Sequence, residues 1–252
     1  MIALERLCKR FGPLIAVDAL DFTIEAGTVF GFLGRNGAGK TTTIRMMIGL
    51  LQPTSGTVRL GGHDIATAPD EAKRVTGYLP DRPHLYDKLT GLEYLCFVGG
   101  LFDLGRREAK ARAMSLLDDM RLTSQAGELV ETYSHGMKQR LALAGALMHR
   151  PRILVLDEPM VGLDPEGARE LKTRIAALAA DGVTIFLSTH SLAVAEEVCG
   201  RIGIIDRGQL VALGSLDELR ARAKTAAGAE QDGRTLEDVF LDILHAQEAD
   251  RS

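Results

Sequence analysis

Eight consecutive residues, Gly34-Arg35-Asn36-Gly37-Ala38-Gly39-Lys40-Thr41, carry the most chemical information in the chain. Their spacing fits G-x-x-x-x-G-K-[ST], the pattern of a loop that wraps an anion. Gly34, Gly37 and Gly39 permit tight turns and let backbone N–H groups approach phosphate oxygens. Lys40 would set a point charge beside the β- and γ-phosphates of a nucleotide, the Thr41 hydroxyl would ligate Mg²⁺, and Thr42 completes the candidate set. A glycine-rich turn that matches by chance is the plainer alternative. A second constellation follows the apolar run Ile153-Leu154-Val155-Leu156: the acids Asp157 and Glu158. Four apolar residues and then two carboxylates fit a buried strand whose end presents acids at the top of a sheet. Asp157 would hold Mg²⁺ through water, and Glu158 would polarise an attacking water. The alternative is a strand that ends in solvated acids.

The elements around these groups must place them together. The apolar run over 28–33 predicts a buried strand entering the glycine loop, and 42–50 predicts the helix whose N-terminus receives the phosphates. Further strands are expected at 2–7, 20–24, 57–60 and 75–79, broken by Gly12-Pro13, Gly27, Pro53 and Gly61-Gly62. From Asp81 the pattern turns helical. A capping box at Thr90-Gly91-Leu92-Glu93 opens a helix over 92–104; helices over 106–120 and, capped by Ser134, 135–150 follow. This reads as a helical insertion between two halves of a sheet. Strands at 152–156 and 183–188 flank a helix that begins at Asp164-Pro165, a strand–helix–strand unit of a parallel sheet. A hairpin is expected from 201–206 and 209–213, then a capped helix over 215–224, a polar linker over 225–234 and an amphipathic helix over 235–246. No internal repeat appears, so one phosphate loop implies one nucleotide site per chain.

Whole-chain properties narrow the class. The 252 residues are 46% apolar and 25% charged, enough for a substantial core. The net charge of −4 gives no basic excess for nucleic acid. Cys8, Cys96 and Cys199 are odd in number and widely spaced, which suits a reducing compartment and forms no metal-ligand pattern. The N-terminal MIALERLCKR lacks an apolar signal core, and the apolar stretch 92–102 contains Glu93 and is too short to span a bilayer. A soluble protein that meets membranes through a partner is expected.

Taken in order, these motifs closely resemble the ATP-binding cassette (ABC) ATPases over about residues 1–215. The resemblance implies an α/β, P-loop NTPase (RecA-like) core with an antiparallel β subdomain and an inserted α-helical subdomain. It divides the chain into 1–80 and 151–215 as nucleotide-binding core, 81–150 as helical subdomain and 216–252 as a C-terminal helical extension. It implies ATP and Mg²⁺ as cofactors. Phe11 stands where the family stacks an aromatic on adenine, although a strand-end core residue would look the same. Tyr133-Ser134-His135-Gly136-Met137 stands in the place of the signature LSGGQ; Ser134 and Gly136 are retained, and His135 and Met137 depart from it. A plain helix cap is the alternative for Ser134. Gly162-Leu163-Asp164 resembles the D-loop of the dimer interface, and His190 the switch histidine that contacts the γ-phosphate, although a lone histidine is more often structural. Asp81 occupies the position of the usual glutamine that touches Mg²⁺ and links the site to a membrane partner; here it is a candidate for metal binding and coupling, or else an exposed loop acid.

The implied mechanism pairs two cassettes head to tail, each ATP lying between one phosphate loop and the other chain's Ser134 segment. The stretches YLPDRPHLYDKLTGLEYL and TLEDVFLDIL resemble the branch that pairs with ABC-2 type permeases, often exporters. The expectation is therefore a transporter ATPase, with an integral-membrane permease and a second ATPase subunit (a homodimer) as partners, no nucleic acid, and a cytoplasmic place on the inner membrane face. A soluble cassette ATPase acting on ribosomes or DNA is the alternative, lacking here the tandem cassettes or basic extensions such proteins carry.

Overall fold

The computed structural model describes residues 1–227, 236–238 and 240–241. Two sheets organise the chain. β1 (Ile2–Phe11), β2 (Leu14–Ile24), β4 (Ser55–Leu60) and β5 (His63–Asp64) form a four-stranded antiparallel sheet in the order β2-β1-β4-β5. β3 (Val29–Leu33), β6 (Thr76–Leu79), β7 (Ile153–Asp157), β8 (Thr184–Thr189), β9 (Arg201–Asp206) and β10 (Gln209–Gly214) form a six-stranded sheet in the order β10-β9-β3-β8-β7-β6. All neighbours in it are parallel except the edge pair β9 and β10. The residues before Pro80 are thus shared between the sheets: β3 and β6 leave the antiparallel set. The strands VFGFL and ILVLD, apolar but for the final Asp157, are fully buried, as central parallel strands require.

Each face of the larger sheet has its own core. Ile153, Val155, Phe186, Phe30 and Phe32 face α1 (Lys40–Met47) and the antiparallel sheet. Phe22 of β2 reaches into this layer, its ring 5.3 Å from Phe30 and 6.0 Å from Phe32. Leu154, Leu156, Ile185 and Leu187 face the helical block of α3 (Gly91–Leu101), α4 (Arg106–Asp119) and α5 (His135–Ala146). The strand period of two sends alternate residues to the two layers. The helical block enters the chain between β6 and β7, which are neighbours in the sheet.

The capping signals hold. Thr90 and Glu93 make the reciprocal box at α3, and Asp164 with Pro165 opens α6 (Pro165–Ala180). α2 (Pro69–Arg74), α7 (Leu192–Val198) and the two-residue β5 went unpredicted because each is too short to show a period. β1 and β2 run longer than expected and meet at Gly12, whose φ is +56°. The helix expected over 135–150 stops at Ala146, and that expected over 92–104 stops at Leu101. α8 (Leu216–Ala227) takes in the first three residues of the expected linker; the remainder of it, 228–234, lies outside the described residues. Of the final helix, 236–238 and 240–241 are helical and the rest is outside the description. Leu236 is buried with Leu33, Ile202, Ile204 and Leu219, and its N–H donates to Glu196 at 2.6 Å.

Candidate active site

Parallel strands deliver their C-terminal ends to one edge of a sheet, where open α/β folds place ligands. β3, β6, β7 and β8 do so in register: Leu33 lies opposite Thr189, Asp157 opposite Ser188, and Leu79 opposite Leu156. Gly34, Asp81, Glu158 and His190 follow these strand ends. Four segments separated by up to 156 positions are thereby brought to one rim.

The glycine loop connects β3 to α1. Gly37 and Gly39 have φ of +82° and +112°, where a side chain is strained, and a Cβ on Gly34 would lie 2.5 Å from the Ile205 carbonyl oxygen. α1 starts at Lys40, two residues earlier than the sequence suggested. It has no side-chain cap and no acid in its first turn. Its leading N–H groups and the positive end of its dipole are left for an anion. The Lys40 side chain is buried. Its Nζ donates to the Gly34 carbonyl at 2.6 Å and stands 3.5 Å from Glu158 Oε1. Arg35, Asn36 and Thr41 are exposed, Ala38 is buried, and Thr42 is partly buried.

The two acids have different surroundings. Asp157 is 2% exposed, and Ser188 Oγ donates to its Oδ1 at 2.5 Å. Burial pushes the Asp157 carboxyl above the usual carboxylate range. The Ser188 hydrogen bond pulls it back, the charges of Asp81 and Glu158 push further, and Lys40 opposes them. Glu158 has a φ of +47°, rare for a residue with a side chain. His190 Nδ1 lies 2.9 Å from Glu158 Oε2. A carboxylate only accepts, so Nδ1 is assigned the proton, which leaves Nε2 for another partner. Sequence reasoning missed two residues here. One is Ser188, a polar residue inside an otherwise apolar strand. The other is Tyr78, whose hydroxyl is pushed up to about 12 by burial and by the charges of Asp157 and Asp81.

Asp81 shares the rim, whereas Phe11 and the Ser134 segment lie elsewhere. Asp81 is exposed, yet its charge reaches both Asp157 and Tyr78. Among the described residues no group of three His, Cys, Asp or Glu could hold a metal ion. Phe11 ends β1 on the antiparallel sheet, 48% exposed, with Lys9 Nζ 5.2 Å from its ring centre. Ser134 caps α5, accepting from the Met137 N–H at 3.3 Å. Ser134, His135 and Gly136 line a cavity of about 530 Å³ with Gly162, Leu163 and Asp164, and no residue of the glycine loop reaches it.

Comparison with known proteins agrees with this layout. The family model described as ABC transporter matches residues 17–161. The linearmycin resistance ATP-binding protein LnrL of Bacillus subtilis (strain 168) is 39% identical over 222 residues, which are 88% of this chain and 71% of that protein. The probable multidrug ABC transporter ATP-binding protein YbhF of Escherichia coli (strain K12) is longer: it is 38% identical over 252 residues, which are 100% of this chain and 43% of that protein. A solved ATP-binding subunit of an ABC transporter superposes with a TM-score of 0.88 at 30% identity, covering 97% of this chain and 99% of that one. A bacterial ABC transporter cassette solved as a dimer gives a TM-score of 0.77 at 25% identity, covering 86% of this chain and 99% of that one. The loop that cradles phosphates, the sheet edge and these likenesses converge on one assignment: the chain belongs to the ABC transporter family, as its ATP-binding, ATP-hydrolysing component.

Proposed function

We propose that this component powers export through a separate ABC-2 type membrane permease, working as a homodimer on the cytoplasmic face of the membrane. The observation that carries the reading is the shared rim at which Lys40, the first residue of α1, meets Asp157, Glu158 and His190 at the ends of parallel strands, with Lys40 and Glu158 3.5 Å apart. In this reading Gly34 to Thr42 hold the phosphates, and Lys40 neutralises the β- and γ-oxygens. The exposed Thr41 hydroxyl and the Asp157 carboxylate are hard oxygen donors of the kind Mg²⁺ accepts beside phosphate oxygens. Bound there, Mg²⁺ would offset charge that develops on the phosphates. Glu158 accepts the proton of the attacking water, and His190 orients Glu158 through Nδ1. Phe11 supplies a face for adenine.

The Ser134 helix end lines a cavity that no residue of its own glycine loop reaches, which supports a head-to-tail pair in which Ser134 and Gly136 meet the ATP held by the other chain. The solved relative that is a dimeric cassette supports pairing of two chains. Membrane attachment goes to a partner, since no helix of the described residues is long and apolar enough to cross a bilayer. A groove of about 340 Å³ between core and helical block, lined by Pro83, Leu85, Tyr94, Val98 and Phe102, is the place for a permease segment, with Asp81 beside it for coupling. The resistance role of LnrL supports export. The core at 1–80 and 151–215, the helical block at 81–150 and the extension at 216–252 are the working parts of this proposal.

Glu158→Gln tests it. The variant should bind ATP, lose hydrolysis by about 10²–10⁴-fold, and accumulate as a dimer in light scattering with Mg-ATP. Near-parent turnover would reject Glu158 as the base, and a strictly monomeric ATP-bound variant would reject the pairing.

A further inference from the structure

We propose that Ser188 is a positioning residue that sets the two acids in their separate places, its hydroxyl aiming Asp157 at the metal and its carbonyl holding Glu158 in the orientation of a base. This rests on the metal and base roles given above, and it adds a residue that no sequence motif marks.

Ser188 and Asp157 are register partners on the parallel strands β8 and β7, and both are buried. The hydroxyl hydrogen bond at 2.5 Å engages Asp157 Oδ1. Among the described residues Oδ2 carries no hydrogen bond, so it is the oxygen left to face a cation. A carboxylate tethered by one oxygen in a buried site cannot rotate freely. Its other oxygen then keeps one direction, as outer partners of metal ligands do elsewhere.

The backbone of the same residue acts on Glu158. The Glu158 N–H donates to the Ser188 carbonyl at 3.1 Å. An extended chain would send adjacent side chains to opposite faces of the sheet. Glu158 instead turns out of the strand at φ +47°, a conformation that persists only when surrounding contacts enforce it. The Ser188 carbonyl is such a contact at the backbone. His190, two residues further along the same segment, is another at the side chain, through Nδ1 at 2.9 Å and its N–H at 3.4 Å. One short stretch, 188–190, therefore fixes both carboxylates. Substitution removes only the hydroxyl half of this arrangement, so the test reads the metal.

The experiment uses Mn²⁺ as the probe, titrated by electron paramagnetic resonance into the full chain saturated with a non-hydrolysable ATP analogue. Ser188→Ala should weaken Mn²⁺ binding about 10–100-fold, while affinity for the analogue without metal stays at the parent value. The Mg²⁺ concentration that gives half-maximal hydrolysis should rise in step. Ser188→Thr, which keeps a hydroxyl, should recover most of the metal affinity, a rescue that a merely space-filling role would not produce. Ser188→Cys, with a weaker donor of similar size, decides the matter if the alanine variant fails to fold. Parent-like Mn²⁺ affinity in Ser188→Ala or Ser188→Cys overturns the inference while leaving the proposed function standing. A parent chain that takes up no Mn²⁺ with nucleotide defeats the proposed function itself.

Discussion

At the scale of single residues, the acidic pair shows why identical chemistry at adjacent positions serves two purposes. Asp157 is buried beside two further carboxylates, and its protonated form is favoured relative to an unfolded chain. The sign follows. Between the ordinary carboxylate value and the raised folded one, the unfolded state has released its proton and the folded state has not, so stability falls as pH rises. Above both values the full penalty remains in the nucleotide-free protein. Asp157→Asn should therefore raise the melting temperature of the empty protein at neutral pH. The gain should vanish below about pH 3–4, where the acid is protonated in either state. The same variant should lose the extra stability that Mg-nucleotide gives the parent; paired melts with and without ligand check both statements. The types and spacing of Lys40, Asp157 and Glu158 were legible in the chain because each is tied to a local pattern. Ser188 was not, because its role depends on a register between β7 and β8 that no local pattern encodes.

At the scale of elements, helix starts were read more accurately than helix ends. Thr90, Ser134 and Asp164 each announce a start through a side chain that captures a backbone N–H. The stops at Leu101 and Ala146 lack such a marker, and the apolar pattern continues beyond them. The start of α1 was misplaced for the converse reason: its cap is Gly39, which has no side chain to recognise. The loop that leads into α6 shows packing that the sequence kept hidden. A Cβ on Gly162 would stand 2.7 Å from His135 Nε2, and its φ is +78°. His135, a departure from the signature pattern, thus fills the space that a side chain at position 162 would need. Gly162→Ala should destabilise the protein by ~1–3 kcal/mol in a denaturant melt. His135→Gly in the same chain should return part of that loss, since only the backbone strain would remain. An additive double variant would show that the two residues do not compete.

At the scale of the molecule, the helical block and the core share one apolar cluster. Asp81 follows β6 where the chain leaves the core for that block. Asp81→Ala should leave ATP affinity within about twofold of the parent, since in the proposed site Lys40 and the glycine-loop backbone hold the phosphates and an exposed charge is screened by salt. It should separate hydrolysis from cargo movement in vesicles reconstituted with the permease. Full transport would reduce Asp81 to a surface residue. The sheet order carries one last consequence. β3, which bears the phosphate loop, is flanked by β8 and β9, strands from the final third of the chain. During synthesis β3 has no neighbouring strand to pair with until β8, residues 184–189, has left the ribosome. A nascent polypeptide arrested before that point holds Gly34 to Thr42 without either strand that flanks β3, and it should bind ATP poorly.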